Sequence, residues 1–153
     1  MKTSELPQPI AESWIGRFVE YCEPLPTPAI FKLWAAIACV MGALERRVYI
    51  RSVRKNLYAS HYVLLVAPPG VGKSMVIAEV KNFWEMVGHL KIGPDSATKA
   101  AMVDQLKLAN RTIKLADGTI DIFHSLQIAS TEFATLIKAQ DDETLNFYNR
   151  IWD

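Results

Sequence analysis

Residues 67–74 combine two prolines, two glycines, a lysine and a serine in one short stretch, APPGVGKS. They fit the pattern G-x-x-x-x-G-K-[ST], except that Ala67 replaces the first glycine. Alanine is the smallest side chain after glycine, so the close packing required at that position is retained. The pattern therefore predicts a phosphate-binding loop, which we call the phosphate loop. Its predicted contact residues are Ala67, Pro68, Pro69, Gly70, Val71, Gly72, Lys73, Ser74 and Met75.

The chemistry expected of the phosphate loop follows from its residue types. Gly70 and Gly72 permit the backbone conformations that point successive N–H groups toward an anion. The helix that follows would present free N–H groups and the positive end of its dipole. Lys73 is predicted to be catalytic, since its charge reaches toward the β- and γ-phosphates, and the Ser74 hydroxyl is a ligand for magnesium. The predicted cofactors are ATP and Mg2+.

A second, acidic group is expected opposite the phosphates, and Glu132 is the best candidate. Residues 126–132, LQIASTE, read as an apolar strand ending in Thr131 and Glu132, where many P-loop ATPases have Asp-Glu. Glu132 fits a catalytic general base that polarises the attacking water, while the Thr131 hydroxyl would orient a metal-bound water. Two alternatives stay open: Glu132 itself takes the metal side, or Thr131 caps a helix and Glu132 is simply exposed.

Other polar residues give weaker signals. The basic stretch 46–55, interleaved with Tyr49 and followed by Tyr58, is either a solvated edge strand with its loop or a contact for a nucleic-acid backbone. His124 is either a sensor of the γ-phosphate or a strand-edge histidine. Arg150 is a candidate arginine finger for a neighbouring subunit.

Composition excludes several classes of protein. The chain has 153 residues, half of them apolar, and a formal net charge of +1, so overall charge makes no case for nucleic acid or membrane as partner. The longest apolar run, 33–44, is shorter than the roughly 20 residues of a membrane span and predicts a buried helix. Cys22 and Cys39 stand apart and predict reduced core thiols in a cytoplasmic protein.

The hydrophobic pattern predicts an α/β fold: a P-loop NTPase core, with a partial parallel sheet and flanking helices, preceded by an N-terminal helical segment. Residues 1–55 form the helical preface with its basic strand and linker, and 56–153 the core, truncated at its C-terminus. Predicted helices are 13–22, 28–44 capped by Thr27, 73–87, 98–109, and 133–153 with a break near Gln140. Predicted strands are 47–51, the buried parallel strand 62–66, a third near 90–92, 126–130, and a hairpin within 111–123 around Asp117-Gly118.

The order of these parts resembles the N-terminal half of the ATPase domain in phage and plasmid replication proteins, helicase-like P-loop proteins often fused or adjacent to a primase. The likeness runs from about residue 10 to the end, through RRVYI, YVLLVAPPGVGKS, GPDSATKAAMVDQL and DETLNFYNRIWD. It implies ATP hydrolysis that drives DNA unwinding or loading, single-stranded or forked DNA as partner, self-association into a ring, a primase as a further partner, and a bacterial host cytoplasm. Lys73, Ser74 and Glu132 match the family's motif residues, whereas Thr131 departs from its usual Asp.

Two other functions stay open. Only two core strands are convincing, against about five in a P-loop sheet, so we expect a fragment or truncated product with weak hydrolysis. The main alternative is therefore a non-motor ATP-binding switch or assembly module with little or no turnover. A nucleoside or small-molecule kinase ranks last, because only Arg111 and Arg150 follow residue 54 and an arginine-rich lid is missing.

Overall fold

The computed structural model describes residues 6–115, 117–137 and 141–152. These residues form a mixed α/β structure, with helices and two small antiparallel sheets. The helices are α1 (Gln8–Ala11), α2 (Trp14–Tyr21), α3 (Ala29–Leu44), α4 (Lys73–Met86), α5 (Lys99–Leu108), α6 (Phe133–Leu136) and α7 (Asp142–Trp152). The strands are β1 (Tyr49–Arg51), β2 (Asn56–Tyr58), β3 (Asn110–Lys114) and β4 (Ile120–His124).

Most predicted helices are confirmed to within two residues at each end. Local capping explains two of the starts, because the hydroxyl of Ser13 accepts from the N–H of Ile15 and that of Thr98 from the N–H of Ala101, each at 3.2 Å. The predicted helix 133–153 is present as α6 and α7, and its expected break near Gln140 lies outside the described residues.

The predicted cap of α3 is wrong. Pro28, not Thr27, holds the N-cap position, and no side chain caps this helix. Thr27 is only 5% exposed, and its hydroxyl is used in a contact with the phosphate loop. The apolar run 33–44 also predicted a buried helix, yet α3 buries one face while Trp34 stays 47% exposed.

The main hydrophobic core lies between α2, α3 and α4. The indole N–H of Trp84 donates to the carbonyl of Cys39 at 3.0 Å, which fixes α4 against α3. The helices touch closely at Gly42, where a Cβ would lie 2.6 Å from the Trp84 ring. Cys22 and Cys39 are free and buried, as predicted. The core residues are Phe18, Cys22, Ala35, Ala36, Cys39, Val76, Val80, Trp84 and Leu90.

This core joins residues from both sides of residue 55, the predicted boundary between helical preface and P-loop core. The helix that begins at the phosphate loop therefore packs directly on the N-terminal helices. The boundary itself stays a prediction.

The two sheets are both antiparallel hairpins. In the first, β1 pairs with β2, and Tyr49 lies opposite Tyr58. The second, β3 with β4, confirms the hairpin predicted around Asp117-Gly118. Its turn is held by the Asp117 carboxylate, which accepts from the backbone N–H of Thr119 at 2.9 Å and from its hydroxyl. These hydrogen bonds hold the pKa of Asp117 below its ordinary value.

The prediction of a parallel sheet is wrong, because both sheets formed by the described residues are antiparallel. Residues 62–66 join no sheet, and Leu64 and Val66 are 61% and 83% exposed. The parallel pairing found is an isolated bridge between Ile92 and Gln127. It places the predicted strand regions 90–92 and 126–130 side by side. An apolar run favours an extended chain, but it joins a sheet only where a neighbouring segment supplies matching backbone N–H and C=O groups along at least one edge.

Among the helices of the described residues, none combines the length and the apolar character needed to cross a bilayer.

Candidate functional site

The phosphate loop has the backbone geometry that its glycines permit. Gly70 and Gly72 adopt φ angles of 82° and 74°, in the left-handed region that other residues rarely enter. Gly72 is also the N-cap of α4, and no side chain caps that helix. The N–H of Met75 donates to the Gly72 carbonyl at 3.2 Å, while those of Lys73 and Ser74, at the very start of α4, keep their capacity to bind an anion, which the helix dipole favours.

Lys73, the first residue of α4, folds back over the phosphate loop. Its ammonium donates to the carbonyl oxygens of Ala67 at 2.6 Å and Pro68 at 2.9 Å. An ammonium has three N–H donors, so one remains for a ligand. The positive charge is thereby held at the loop while the two carbonyls fix its position.

A cleft of about 410 Å³ opens beside the loop and brings together residues that are about 60 positions apart in sequence. Its volume lies within the range of small-molecule sites. Of the predicted contact residues, Ala67, Pro68 and Met75 do not line it; the first two act through their carbonyls on Lys73. The cleft is lined by Pro69, Gly70, Val71, Gly72, Lys73, Ser74, Thr131 and Glu132.

The acidic side of the cleft is the short segment before α6. Ser130 organises it, because its hydroxyl donates to the Glu132 carbonyl at 3.0 Å and accepts from the Glu132 N–H at 3.3 Å. Glu132, not Thr131, is the N-cap residue of α6 and gives no side-chain cap. The interpretation of Thr131 as a helix cap is therefore wrong, and both residues are exposed at the cleft.

The residues at the cleft do not form a metal site by themselves, but they suit a metal ion that arrives bound to a phosphate ligand. Within the described residues, no three His, Cys, Asp or Glu side chains come close enough to hold a metal ion. The oxygen donors at the cleft are the carboxylate of Glu132 and the hydroxyls of Ser74 and Thr131. Mg2+ commonly binds through one or two protein oxygens plus substrate phosphates, so this donor set fits Mg2+ delivered with a nucleotide.

Sequence reasoning missed one residue of this site, Thr27. Its hydroxyl donates to the carbonyl oxygen of Gly72 at 2.7 Å. A Cβ at Gly72 would lie 2.8 Å from the same hydroxyl oxygen, so glycine is required there for space as well as for its φ angle. The sequence carries no signal for this contact, since Thr27 stands 45 residues away, beside prolines that suggest a helix cap.

Two weaker candidates are not brought to the cleft. His124 lies exposed at the end of β4, opposite Asn110, and Arg150 is exposed on α7. Neither residue lines the cleft. The geometry of the cleft thus gives no support to a phosphate-sensing role for His124.

No protein-family model matches this chain, and no curated protein or solved structure matches it either. The resemblance to helicase-like replication ATPases therefore stays a prediction, carried by the phosphate loop and by the order of the elements. Function has to be inferred from the cleft and its residues.

Proposed function

We propose that this chain binds ATP with Mg2+ at the cleft and is a P-loop ATPase of the kind that drives DNA unwinding or loading in phage and plasmid replication. One observation carries the nucleotide proposal. Two left-handed glycines, the uncapped start of α4 and the Lys73 ammonium converge in one loop, and Glu132 lines the same cleft. A polyphosphate is the ligand that uses all of these groups.

Each group has a distinct role in this proposal. Bound ATP would supply the phosphoanhydride bond that is hydrolysed, and Mg2+ would balance its charge. The N–H groups of the loop and of the first turn of α4 hold the phosphates, and Lys73 donates its third N–H to them. Ser74 offers its hydroxyl to the metal ion. Glu132 orients a water molecule and accepts its proton.

An ATP-binding switch with little turnover is the second candidate, and Thr131 favours it. Many P-loop ATPases place an Asp before the catalytic Glu, where it holds the water shell of the metal ion. A hydroxyl at this position brings no negative charge. Among the described residues that line the cleft, Glu132 is the one carboxylate. Binding without hydrolysis would follow if one carboxylate cannot serve both the metal ion and the water.

The test is a titration of the chain with ATP and Mg2+, with phosphate release measured in the same samples, with and without single-stranded DNA. Lys73→Ala should weaken binding by about tenfold or more, because a charged hydrogen bond to phosphate is removed. Lys81→Ala is the matched control, since Lys81 lies on the same helix and pairs with Asp95 at 2.9 Å.

Equal affinities of the wild type and Lys73→Ala would overturn the nucleotide proposal. Given binding, turnover stimulated by DNA supports the motor, whereas binding without turnover supports the switch.

A further inference from the structure

Positive charge is concentrated in one part of the sequence despite the near-neutral total. Residues 46–78 hold six of the 17 Lys and Arg and none of the 16 Asp and Glu. This part therefore carries a formal charge of +6, against −5 for the rest of the chain. One of the six is Lys73 of the phosphate loop. The other five, Arg46, Arg47, Arg51, Arg54 and Lys55, fall within or directly before the β1–β2 hairpin.

We call residues 46–58 the hairpin surface. Every residue from 46 to 57 is exposed, on both strands and in the turn. Arg51 lies opposite Asn56 and shares a face of the ladder with Tyr49 and Tyr58. Arg47 lies 3.4 Å from the Glu45 carboxylate, but Arg51 and Arg54 form no ion pair with any described residue. Their charge is therefore available to an external anion.

An aromatic cluster accompanies this charge. The rings of Tyr49 and Tyr58 lie 5.9 Å apart, and the guanidinium of Arg46 sits 4.1 Å from the centre of the Tyr58 ring. These contacts hold the cluster in place while Tyr49 stays 42% exposed. An exposed, positioned ring beside available guanidinium groups suits a partner that offers both repeated negative charge and flat aromatic faces.

We propose that the hairpin surface binds single-stranded nucleic acid, with Arg51 and Arg54 on backbone phosphates and Tyr49 stacked against a base. A single strand offers phosphates and accessible base faces together. A duplex hides its bases, and an acidic peptide lacks them, so neither would use Tyr49. This proposal deepens the proposed function and rests on it for the role of the contact, since the bound strand would be the DNA on which the ATPase acts. Binding of the strand itself needs no ATP.

The experiment measures fluorescence anisotropy of a labelled oligo-dT of about 20 nucleotides with the full chain, without ATP, over a range of salt concentrations. Arg51→Ala/Arg54→Ala should weaken binding by about tenfold or more. It should also reduce the steepness of log K against log salt by about 1.4, because each single-strand phosphate that is no longer neutralised lowers the slope by about 0.7. Tyr49→Leu should weaken binding about fivefold or more with little change in that slope, because stacking is uncharged.

Two controls separate this site from general charge. Lys107→Ala/Lys114→Ala removes the same charge from exposed positions elsewhere and should bind like the wild type. Polyglutamate of matched charge should compete poorly with oligo-dT. Equal losses in the two double variants, equal competition by polyglutamate, or wild-type binding by Tyr49→Leu would each overturn the proposal. Circular dichroism of every variant confirms that it is folded.

The Lys73→Ala variant keeps this test distinct from that of the proposed function. It should bind oligo-dT as the wild type does. A chain that binds oligo-dT through the hairpin surface but does not bind ATP would refute the nucleotide proposal alone. If the chain binds ATP but its affinity for oligo-dT is unchanged by Arg51→Ala/Arg54→Ala, only the proposal for the hairpin surface is refuted.

Discussion

The hydroxyl of Thr27 donates a 2.7 Å hydrogen bond to the carbonyl oxygen of Gly72 and so joins the start of α3 to the phosphate loop. Gly72 directly precedes Lys73, and Thr27 is 5% exposed. The same side of α4 is held further along by Tyr21, whose hydroxyl donates to the Glu79 carboxylate at 3.2 Å. The N-terminal helices thus support the loop as well as the core.

Replacing Thr27 by Val keeps the shape of the side chain but removes this donor. The Gly72 carbonyl still accepts from the N–H of Met75 at 3.2 Å, so one of its hydrogen bonds is lost, and we expect a fall of about 0.5–1.5 kcal/mol in the free energy of unfolding, measured by urea denaturation. ATP affinity should fall as well, because the residue before Lys73 is no longer fixed. Thr27→Ser keeps the hydroxyl and should recover most of both losses. If Ser behaves like Val, the hydrogen bond does not support the loop.

Glu132→Gln separates binding from turnover. The amide keeps the size of the side chain but cannot accept a proton from water, so ATP binding should stay near wild type while phosphate release falls to background. Glu85→Gln, at an exposed position of α4, is the matched control and should change neither quantity. Hydrolysis at the wild-type rate by Glu132→Gln would exclude Glu132 as the general base.

The ion pair between Glu45 and Arg111, outside the cleft, should contribute to the stability of the fold. The Glu45 side chain is fully buried, with Arg111 Nε 2.9 Å and an Arg47 guanidinium nitrogen 3.4 Å from its carboxylate. Arg111→Met would leave a buried charge without its nearest partner and should cost about 3–5 kcal/mol in the free energy of unfolding.

The double variant Glu45→Met/Arg111→Met removes both charges and should be more stable than Arg111→Met. Arg47→Ala, at a position 47% exposed, should cost less than about 1 kcal/mol. A double variant no more stable than Arg111→Met would show that packing, not charge, dominates this site.

The two buried thiols should make the free energy of unfolding depend on pH in the alkaline range. Burial raises the pKa of Cys22 to about 11 and that of Cys39 to about 12, from an ordinary value of 9.0. Their neutral forms therefore favour the folded state, and this contribution is complete below about pH 9 and is lost as the pH rises through 11 and 12.

Two measurements check this expectation. At about pH 8 both thiols should react slowly with a disulfide reagent in the native chain and rapidly in denaturant. The free energy of unfolding should fall above about pH 9, and less steeply in Cys39→Ala. Rapid reaction of both thiols in the folded chain would contradict their burial.

Local signals predicted much of the helical part of this fold. Ser13 and Thr98 cap their helices as their residue types suggest, and the Asp117-Gly118 turn closes the hairpin where it was expected. The left-handed conformations of Gly70 and Gly72 in the phosphate loop also follow from sequence, because the turn needs a positive φ at these two positions, which glycine adopts easily. Each of these features depends on residues within a few positions of one another.

Helix positions, turns and the candidate phosphate-binding residues could be predicted from sequence, because their causes are local. Three features depend on long-range packing: 62–66 joins no sheet, Thr27 donates to Gly72 and does not cap its own helix, and Glu132 shares a cleft with Lys73. Strand pairing, a hydroxyl's choice of acceptor and the meeting of distant side chains depend on which surfaces the helices bury together. Which surfaces are buried depends on packing throughout the core, so it cannot be predicted from any one segment of the sequence.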